Sequence, residues 1–357
     1  MIVYYSLIIL PFLFALIELR GSQHVIKQWW LIFVLFVIII GGTNGNGIDW
    51  DGYFVQYSDY RNLSLEELIQ FEPGFALLLI VLGDCHVFLF FMAILCFLMV
   101  FSTLKHECRY PVVGLFIYII TMSLYMYMGV YRHAIAQSIV IYAWQYRYCN
   151  KKFILLLVLA CMFHYSSVIA LFYFFIPRKT RLPIKTLLLL LILGYLLRSY
   201  LVTALSLSSG FFPAIIAGKL GIYMNSEEFG TSFSILFFLF KLFTFVVCYK
   251  KISRNDENSA FFINAYAISI ILYLVISFTP SFGRLVYYYS CTEIILIPIL
   301  LSNFAYDYNT SKLKSLRKNC DISVLVFMLF TFVYSYMYTQ SLLSYYDIFV
   351  PYKSIIF

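Results

Sequence analysis

The stretch VFLFFMAILCFLMVF, residues 87–101, decides the fold class, because it carries no charge and nearly reaches the length of a bilayer-crossing helix. Similar apolar runs recur along the chain, among them WWLIFVLFVIIIGG (29–42) and LLLLLILGYLL (187–197). Hydrophobic residues make up 63% of the 357 residues and charged residues only 12%, about half the charged fraction of a soluble domain. The sequence therefore predicts an all-α polytopic membrane protein, a single integral membrane domain with about 11–12 transmembrane or partly inserted helices.

The basic residues lie mostly in short connectors between the apolar runs. Of the 25 Lys and Arg residues, 18 fall in six connectors: RGSQHVIK, KHECR, RYCNKK, RKTRLPIK, KKISR and KLKSLRK. Connectors rich in Lys and Arg stay on the cytoplasmic side of a membrane. The net charge of +8 therefore indicates topology, because a nucleic-acid surface would not be divided among six loops separated by apolar helices.

With these connectors inside, the apolar segments alternate in direction across the membrane. The segments expected to run inward are 2–18, 86–104, 130–147, 233–249 and 285–304, and those expected to run outward are 29–42, 111–128, 186–205, 260–279 and 322–340. The first of these has no basic leader region and no small-residue cleavage site, so we expect a retained span. Residues 43–85 form an outer, periplasmic loop that includes a short re-entrant or interfacial helix.

The segment KKFILLLVLACMFHYSSVIALFYFFIPRK has a basic connector at each end, so an odd number of crossings would break the charge rule. We predict two short or broken helices that meet at HYSS, with both ends inside. A single span that places RKTRLPIK outside is the alternative, and it would reverse every later helix.

Two arginines lie at hairpin tips on the predicted outer side. Arg132 follows the segment 111–128, and Arg284 follows the segment 260–279. Unpaired N–H groups and the macrodipole at a helix N-terminus favour an anion, and guanidinium offers phosphate a planar fork of donors. We hypothesise that the two arginines hold one diphosphate. The alternative is that each pairs with a carboxylate or extends to the outer headgroups.

Several polar residues inside apolar sequence are further candidates for substrate binding. Lys241 lies near the middle of a span, where an ionisable residue indicates function, although a structural pair with Glu293 would also explain it. Gln137 follows Arg132 on the same predicted helix and could line a polar cavity or bond a neighbouring helix. Tyr288, in VYYYS, could stack on a sugar ring.

Two histidines and the outer acids are candidates for acid–base chemistry. His133 adjoins Arg132 but projects about 100° away on a helix, and His164 lies at the predicted break. Asp49, Asp51 and Glu72 are the loop acids closest to the membrane by sequence. A catalytic base needs both a position and a suitable pKa, so any of these acids or His164 could serve.

The order of five short motifs resembles that of the EpsG-like and Wzy-type polysaccharide polymerases of bacterial envelopes. The motifs are GNGIDWDGYFVQY, FEPGF, YRHAIAQSI, FHYSS and GRLVYYY. The resemblance implies a GT-C-like membrane glycosyltransferase that joins repeat units carried on undecaprenyl diphosphate at the outer face of the bacterial cytoplasmic (inner) membrane. The product would be an O-antigen of lipopolysaccharide or a related surface polysaccharide.

The same resemblance implies the partners and the roles of the candidates. The substrates are an undecaprenyl-diphosphate-linked glycan donor and acceptor, and a separate chain-length regulator protein is a further expected partner. No nucleotide sugar, cofactor or metal ion is expected. Arg132 and Arg284 would bind the diphosphate, with His133 beside them and Arg198 as a third cation.

Three other functions fit some of these features. An O-antigen ligase shares the chemistry, but ligases usually carry a larger outer domain than the loops predicted here. A flippase or transporter of lipid-linked oligosaccharides also needs cations for the diphosphate, but such proteins tend to show two similar halves, and no convincing internal repeat is present. A structural subunit would need neither the tip arginines nor Lys241.

Overall fold

The computed structural model describes residues 1–20, 27–47, 50, 52, 72–208, 232–252, 256–276, 280–310 and 322–356. These residues form helices and an isolated antiparallel bridge between Thr43 and Ser354. In chain order the α-helices are α1 (Ile2–Leu19), α2 (Trp29–Phe36), α3 (Pro73–Leu82), α4 (Cys85–Glu107), α5 (Pro111–Met122), α6 (Tyr131–Ala143), α7 (Asn150–Phe163), α8 (Ile184–Ser208), α9 (Ser232–Lys251), α10 (Glu257–Ile276), α11 (Pro280–Ser290), α12 (Glu293–Thr310), α13 (Ile322–Ser344) and α14 (Tyr346–Phe349).

Helix length and composition confirm the predicted class of an all-α polytopic membrane protein. Among the described residues, five helical segments are long and apolar enough to cross a membrane: 2–19, 85–107, 257–275, 283–304 and 322–344. Shorter apolar helices add 29–41, 73–82, 111–122, 165–175 and 184–197. That some of the helices are only partly inserted stays a prediction.

The chain divides into two compact units. Unit 1 consists of Met1–Phe174 and Ile297–Phe357, and unit 2 consists of Phe175–Leu296. The single membrane domain stays a prediction.

One end of unit 1 is organised by two buried carboxylates. The Glu18 carboxylate, at the last turn of α1, accepts hydrogen bonds from the backbone N–H groups of Val112 (3.2 Å) and Val113 (2.9 Å) at the start of α5. The Arg147 guanidinium, just after α6, donates to Glu107 at the end of α4 over 2.5 Å. Helices α1, α4 and α6 therefore end on the same side of unit 1, which we call the Arg147 end. The opposite side, where α6 begins, is the Arg132 end.

Two contacts made by aromatic side chains show the directions of α2 and α13 in unit 1. The ring of Trp29, at the start of α2, stacks at 4.9 Å on that of Phe101, near the end of α4. The Tyr338 hydroxyl in α13 donates to the carbonyl of Tyr4 in α1 over 3.1 Å. Helices α2 and α13 thus run toward the Arg132 end, as α5 does. This confirms, within unit 1, the alternating directions predicted from the basic connectors.

The segment after α6 folds back on itself at His164. Helix α7 has 14 residues and rises about 21 Å, and the 3-10 helix Tyr165–Phe175 that follows has 11 residues and rises about 22 Å. His164 lies at the Arg132 end, where it contacts Glu72. The ring of Tyr173 lies 6.0 Å from that of Trp144, back at the Arg147 end. The prediction of two short helices that meet at HYSS and return to one side is confirmed.

In unit 2, hydrogen bonds join two of the basic connectors. The Arg181 guanidinium in RKTRLPIK donates to the Tyr249 carbonyl at 3.2 Å and to the Ser259 hydroxyl at 3.2 Å, on either side of the α9–α10 connector. The Asn264 carboxamide in α10 accepts from the Leu182 N–H at 2.9 Å. RKTRLPIK and KKISR therefore share one end of unit 2, as expected for connectors on one side of a membrane.

Candidate functional site

Three chain segments meet at the Arg132 end of unit 1 and bring three of the predicted residues together. Glu72 immediately precedes α3, Arg132 is the second residue of α6, and His164 lies between α7 and the 3-10 helix. The Arg132 Nη1 donates to the Glu72 Oε2, and the His164 Nδ1 lies 2.8 Å from the Glu72 Oε1. One carboxylate thus bridges a guanidinium and an imidazole, and we call these three residues the Glu72 cluster.

The Glu72 cluster is largely shielded from solvent, and its carboxyl group is strongly acidic. The side chains of Glu72, Arg132 and His164 are 6%, 20% and 15% exposed. Burial raises the pKa of the Glu72 carboxyl, but the hydrogen bond to His164 and the charge of Arg132 outweigh burial and lower that pKa to about 2. Glu72 is therefore an anion near neutral pH, and its low basicity makes it a poor proton acceptor.

The ionised state of Glu72 sets the tautomer of His164. A carboxylate can only accept, so the His164 Nδ1 must donate to the Glu72 Oε1. In a neutral ring, the lone pair then lies on Nε2, which is the arrangement of a histidine general base oriented by a carboxylate. Among the base candidates that the structure describes, the geometry of His164 suits a base, with Glu72 as the residue that positions it.

The motif FEPGF explains how Glu72 is held. Pro73 begins α3 at a position where its missing N–H has no helical partner to lose. A Cβ on Gly74 would lie 3.0 Å from the Met162 carbonyl oxygen, so glycine permits the close packing of α3 on α7. The Phe75 ring centroid lies 5.8 Å from the Arg132 Cζ, within cation–π range.

His133 and Gln137 lie beside the cluster on α6. His133 is fully buried, and its ring centroid is 5.4 Å from that of His164 at an interplanar angle of 57°. Gln137 is 1% exposed. The sequence nominated these residues separately, and the structure places the two histidine rings in contact.

Sequence reasoning missed a contact between the outer loop and the start of α6. Gly47 has φ of +151°, and a Cβ on it would lie 2.1 Å from the Met128 carbonyl oxygen and 3.3 Å from the Tyr131 hydroxyl. Only glycine fits that approach. The spaced glycines of GNG were the signal in the sequence, but they did not show which residues the loop touches.

The remaining candidates are distributed over both units. Asp49 and Asp51 lie outside the described residues, as does the side chain of Arg198. Arg284 is the fifth residue of α11 in unit 2 and is half-buried. The joint grip of Arg132 and Arg284 on one anion stays a prediction.

Unit 2 also holds a buried ionic contact. The Lys241 Nζ in α9 bonds the Glu293 Oε1 at the start of α12, with side-chain exposures of 12% and 3%. This is the structural alternative that the sequence offered for Lys241. Lys241 and Tyr287 line a cavity of about 80 Å³, whereas the predicted sugar-stacking residue Tyr288 is fully buried.

In the described part of the chain, no group of three or more His, Cys, Asp or Glu side chains could hold a metal ion. Neither the curated proteins nor the solved structures contain a match to this chain. The family model of the EpsG family matches residues 26–354, nearly the whole chain. The protein therefore belongs to the EpsG family, which is associated with glycosyltransferase-like polymerisation of polysaccharides.

Proposed function

We propose that this protein polymerises oligosaccharide repeat units linked to undecaprenyl diphosphate, at the outer, periplasmic face of the bacterial cytoplasmic membrane. The observation that carries the proposal is the Glu72 cluster, which combines an oriented imidazole with a guanidinium in one shielded place. Glycosyl transfer from a lipid diphosphate needs both groups: a base for the attacking hydroxyl and a cation for the departing diphosphate.

The reaction follows from the roles of these residues. The His164 Nε2 accepts the proton of an acceptor sugar hydroxyl, and the hydroxyl oxygen forms a bond to the anomeric carbon of the donor glycan. The bond between that carbon and the diphosphate oxygen breaks, and its electron pair leaves with the lipid diphosphate. Glu72 stabilises the imidazolium, because its carboxylate already accepts from His164 Nδ1.

Arg132 is the cation proposed to meet the leaving group. A guanidinium carries five N–H donors, so Arg132 can hold Glu72 and contact a phosphate oxygen at the same time. Its position as the second residue of α6 adds the positive end of the helix dipole. That Arg284, in unit 2, also binds a diphosphate is the prediction from the sequence, and it is tested separately. Donor and acceptor lipids in the same leaflet would supply proximity.

The test uses a bacterial host that makes a long surface polysaccharide and lacks its own copy of this gene. Wild-type protein and the variants Arg132→Lys, Arg132→Ala, Arg284→Lys and Arg284→Ala are expressed at matched abundance, and the polysaccharide is separated on a gel. We expect the Ala variants to lose long chains, by about 100-fold or more for a lost charge-stabilising donor. Lys keeps the charge without the planar fork, so each Lys variant should retain part of the activity.

The pattern on the gel also distinguishes a polymerase from a ligase or a flippase. Loss of polymerisation leaves a single repeat unit on the final acceptor. Loss of a ligase leaves long chains on the lipid carrier, and loss of a flippase leaves no outer glycan. Full chain length in both Ala variants at normal abundance would refute the diphosphate clamp.

A further inference from the structure

A polar pocket in unit 1 lies between the start of the outer loop and the C-terminal segment. It has a volume of about 310 Å³, at the lower end of the range of small-molecule sites. Its walls include Asn46, Gly47 and Trp50 on one side and Asp347 and Lys353 on the other. We call it the tail pocket.

The side chain of Asn46 joins the two walls of the tail pocket by hydrogen bonds. Its Nδ2 donates to the carbonyl oxygens of Ile348 and Pro351, both at 3.0 Å, and its Oδ1 accepts from the N–H of Lys353 at 2.5 Å. Asn46 is only 2% exposed. With a further bond from Nδ2 to the Phe349 carbonyl at 3.3 Å, this one buried amide makes four hydrogen bonds to the C-terminal backbone, so the pocket is formed before any ligand arrives.

Two further contacts anchor the C-terminal segment to unit 1. The Tyr352 hydroxyl donates to the Ile39 carbonyl at 2.7 Å, and the Tyr4 hydroxyl donates to the Phe349 carbonyl at 2.6 Å. Burial raises the pKa of Tyr352 to about 12, so this hydroxyl stays a donor throughout the physiological range. The pocket wall is thus a tethered part of the fold.

The groups that line the tail pocket suit a sugar. Trp50 contributes an apolar indole, Asp347 an exposed carboxylate that makes no ion pair within the described residues, and Lys353 an exposed ammonium. Sugar hydroxyls can donate to the carboxylate and accept from the ammonium, while the C–H face of the ring packs on the indole. The opposite charges disfavour an apolar ligand, and Asp347 disfavours an anion.

The tail pocket is linked to the start of α6 by one glycine. Gly47 lines the pocket and also packs against the Met128 carbonyl and the Tyr131 hydroxyl. Tyr131 directly precedes Arg132, the second residue of α6. The outer loop that lines the pocket therefore contacts the first turn of α6, the helix that carries Arg132.

We propose that the tail pocket is a carbohydrate subsite that binds a sugar residue of the lipid-linked glycan beside the reacting one. The proposal rests on the polymerase function proposed above, because that function supplies the glycan. The subsite proposal adds a determinant of specificity. The pocket, formed by the outer loop and the C-terminal segment, selects the repeat unit that the protein accepts.

The test measures binding separately from polymerisation. The probe is the repeat-unit oligosaccharide that mild acid releases from the host's own lipid-linked pool. Full-length protein in lipid nanodiscs is titrated with this oligosaccharide, and saturation-transfer NMR detects contact. Asp347→Asn should raise the dissociation constant about tenfold or more, the loss expected for a hydrogen bond to a charged group. Trp50→Phe should also raise it, by a smaller factor, because a phenyl ring offers the sugar a smaller face than an indole.

Tyr346→Phe is the matched control, because Tyr346 is exposed on α14 next to Asp347 but does not line the pocket. It should bind as wild type does, and thermal unfolding in the nanodisc checks that each variant is folded. Wild-type dissociation constants in folded Asp347→Asn and Trp50→Phe proteins, or no binding by wild type, would overturn the subsite.

Failure of the subsite and failure of the polymerase proposal give different results. If His164→Ala abolishes polymerisation while the pocket variants bind as wild type, the polymerase stands and the subsite fails. If the host makes long chains without this protein but binding still depends on Asp347, the pocket stands as a sugar site and the polymerase function fails.

Discussion

The Glu72 cluster of unit 1 and the Lys241–Glu293 pair of unit 2 differ in where their basic residues lie on the helices. In unit 1, Glu72 and Arg132 lie at helix starts, and His164 lies at a break between helices. In unit 2, Lys241 lies in the middle of α9 and bonds one carboxylate, that of Glu293. The first group has three members and partial exposure at Arg132 and His164.

The comparison shows that a charged residue inside a membrane protein can serve either to bind and transform a substrate or to hold helices together. Helix ends supply N–H dipoles and access for a substrate, so charge there can act on a bound anion. A mid-helix lysine that is held by one buried carboxylate has little charge left to offer a ligand. We therefore propose catalysis for the Glu72 cluster and helix packing for Lys241 and Glu293.

The largest expected effect comes from removing the proposed base. His164→Ala should lower the polymerisation rate about 100- to 10,000-fold at unchanged abundance, because general-base catalysis contributes about that factor. His106→Ala is the control, since the His106 side chain is 58% exposed and lies at the Arg147 end. In vitro transfer between lipid-linked repeat units provides the rate. If His133→Ala abolishes transfer and His164→Ala does not, the base is His133.

Breaking the Lys241 pair should affect folding. Lys241→Met leaves the Glu293 carboxylate buried without its ammonium partner, which costs about 3–5 kcal/mol. The double variant Lys241→Met/Glu293→Leu removes both charges and should recover most of the lost abundance. Membrane-fraction blots and thermal unfolding in detergent measure this. Recovered abundance with lost activity per molecule would instead assign Lys241 to substrate binding.

A smaller effect is expected where the outer loop meets α6. Gly47→Ala requires the loop or Met128 to shift, because the new Cβ would lie 2.1 Å from the Met128 carbonyl oxygen. We expect a loss of about 1–3 kcal/mol in unfolding free energy. Gly52→Ala is the matched control, since a Cβ there meets nothing within 4 Å. Equal unfolding midpoints for the two variants would contradict this close approach.

The smallest effect is a pH dependence confined to acid solution. The folded-state pKa of Glu72 is lowered to about 2 from an ordinary 4.5, so its ionisation stabilises the fold above pH 4.5. That contribution declines as the pH falls from 4.5 toward 2. The difference in thermal unfolding between wild type and Glu72→Gln should therefore shrink as the pH falls from 4.5 toward 2.5. A difference that stays unchanged over this acid range would contradict the lowered pKa of Glu72.

Much of the architecture follows from the sequence because hydrophobicity and charge are local properties. The basic connectors predicted the alternating directions that unit 1 shows, and the charge at both ends of the HYSS segment predicted its return. Glu72, Arg132 and His164 were each nominated from their positions. Their association was not predictable, since Glu72 and His164 are separated by 92 residues and no periodic pattern connects them.

The sequence alone determined that this chain is an all-α membrane protein and which polar residues stand at the ends and breaks of its helices, because apolar length and basic connectors are read residue by residue. Only the tertiary structure decided that Glu72 joins Arg132 to His164, that Lys241 is paired with Glu293, and that the C-terminal segment closes a pocket around Asn46. These contacts depend on how distant segments pack, and a buried charge or amide finds its partner only when packing brings the two together.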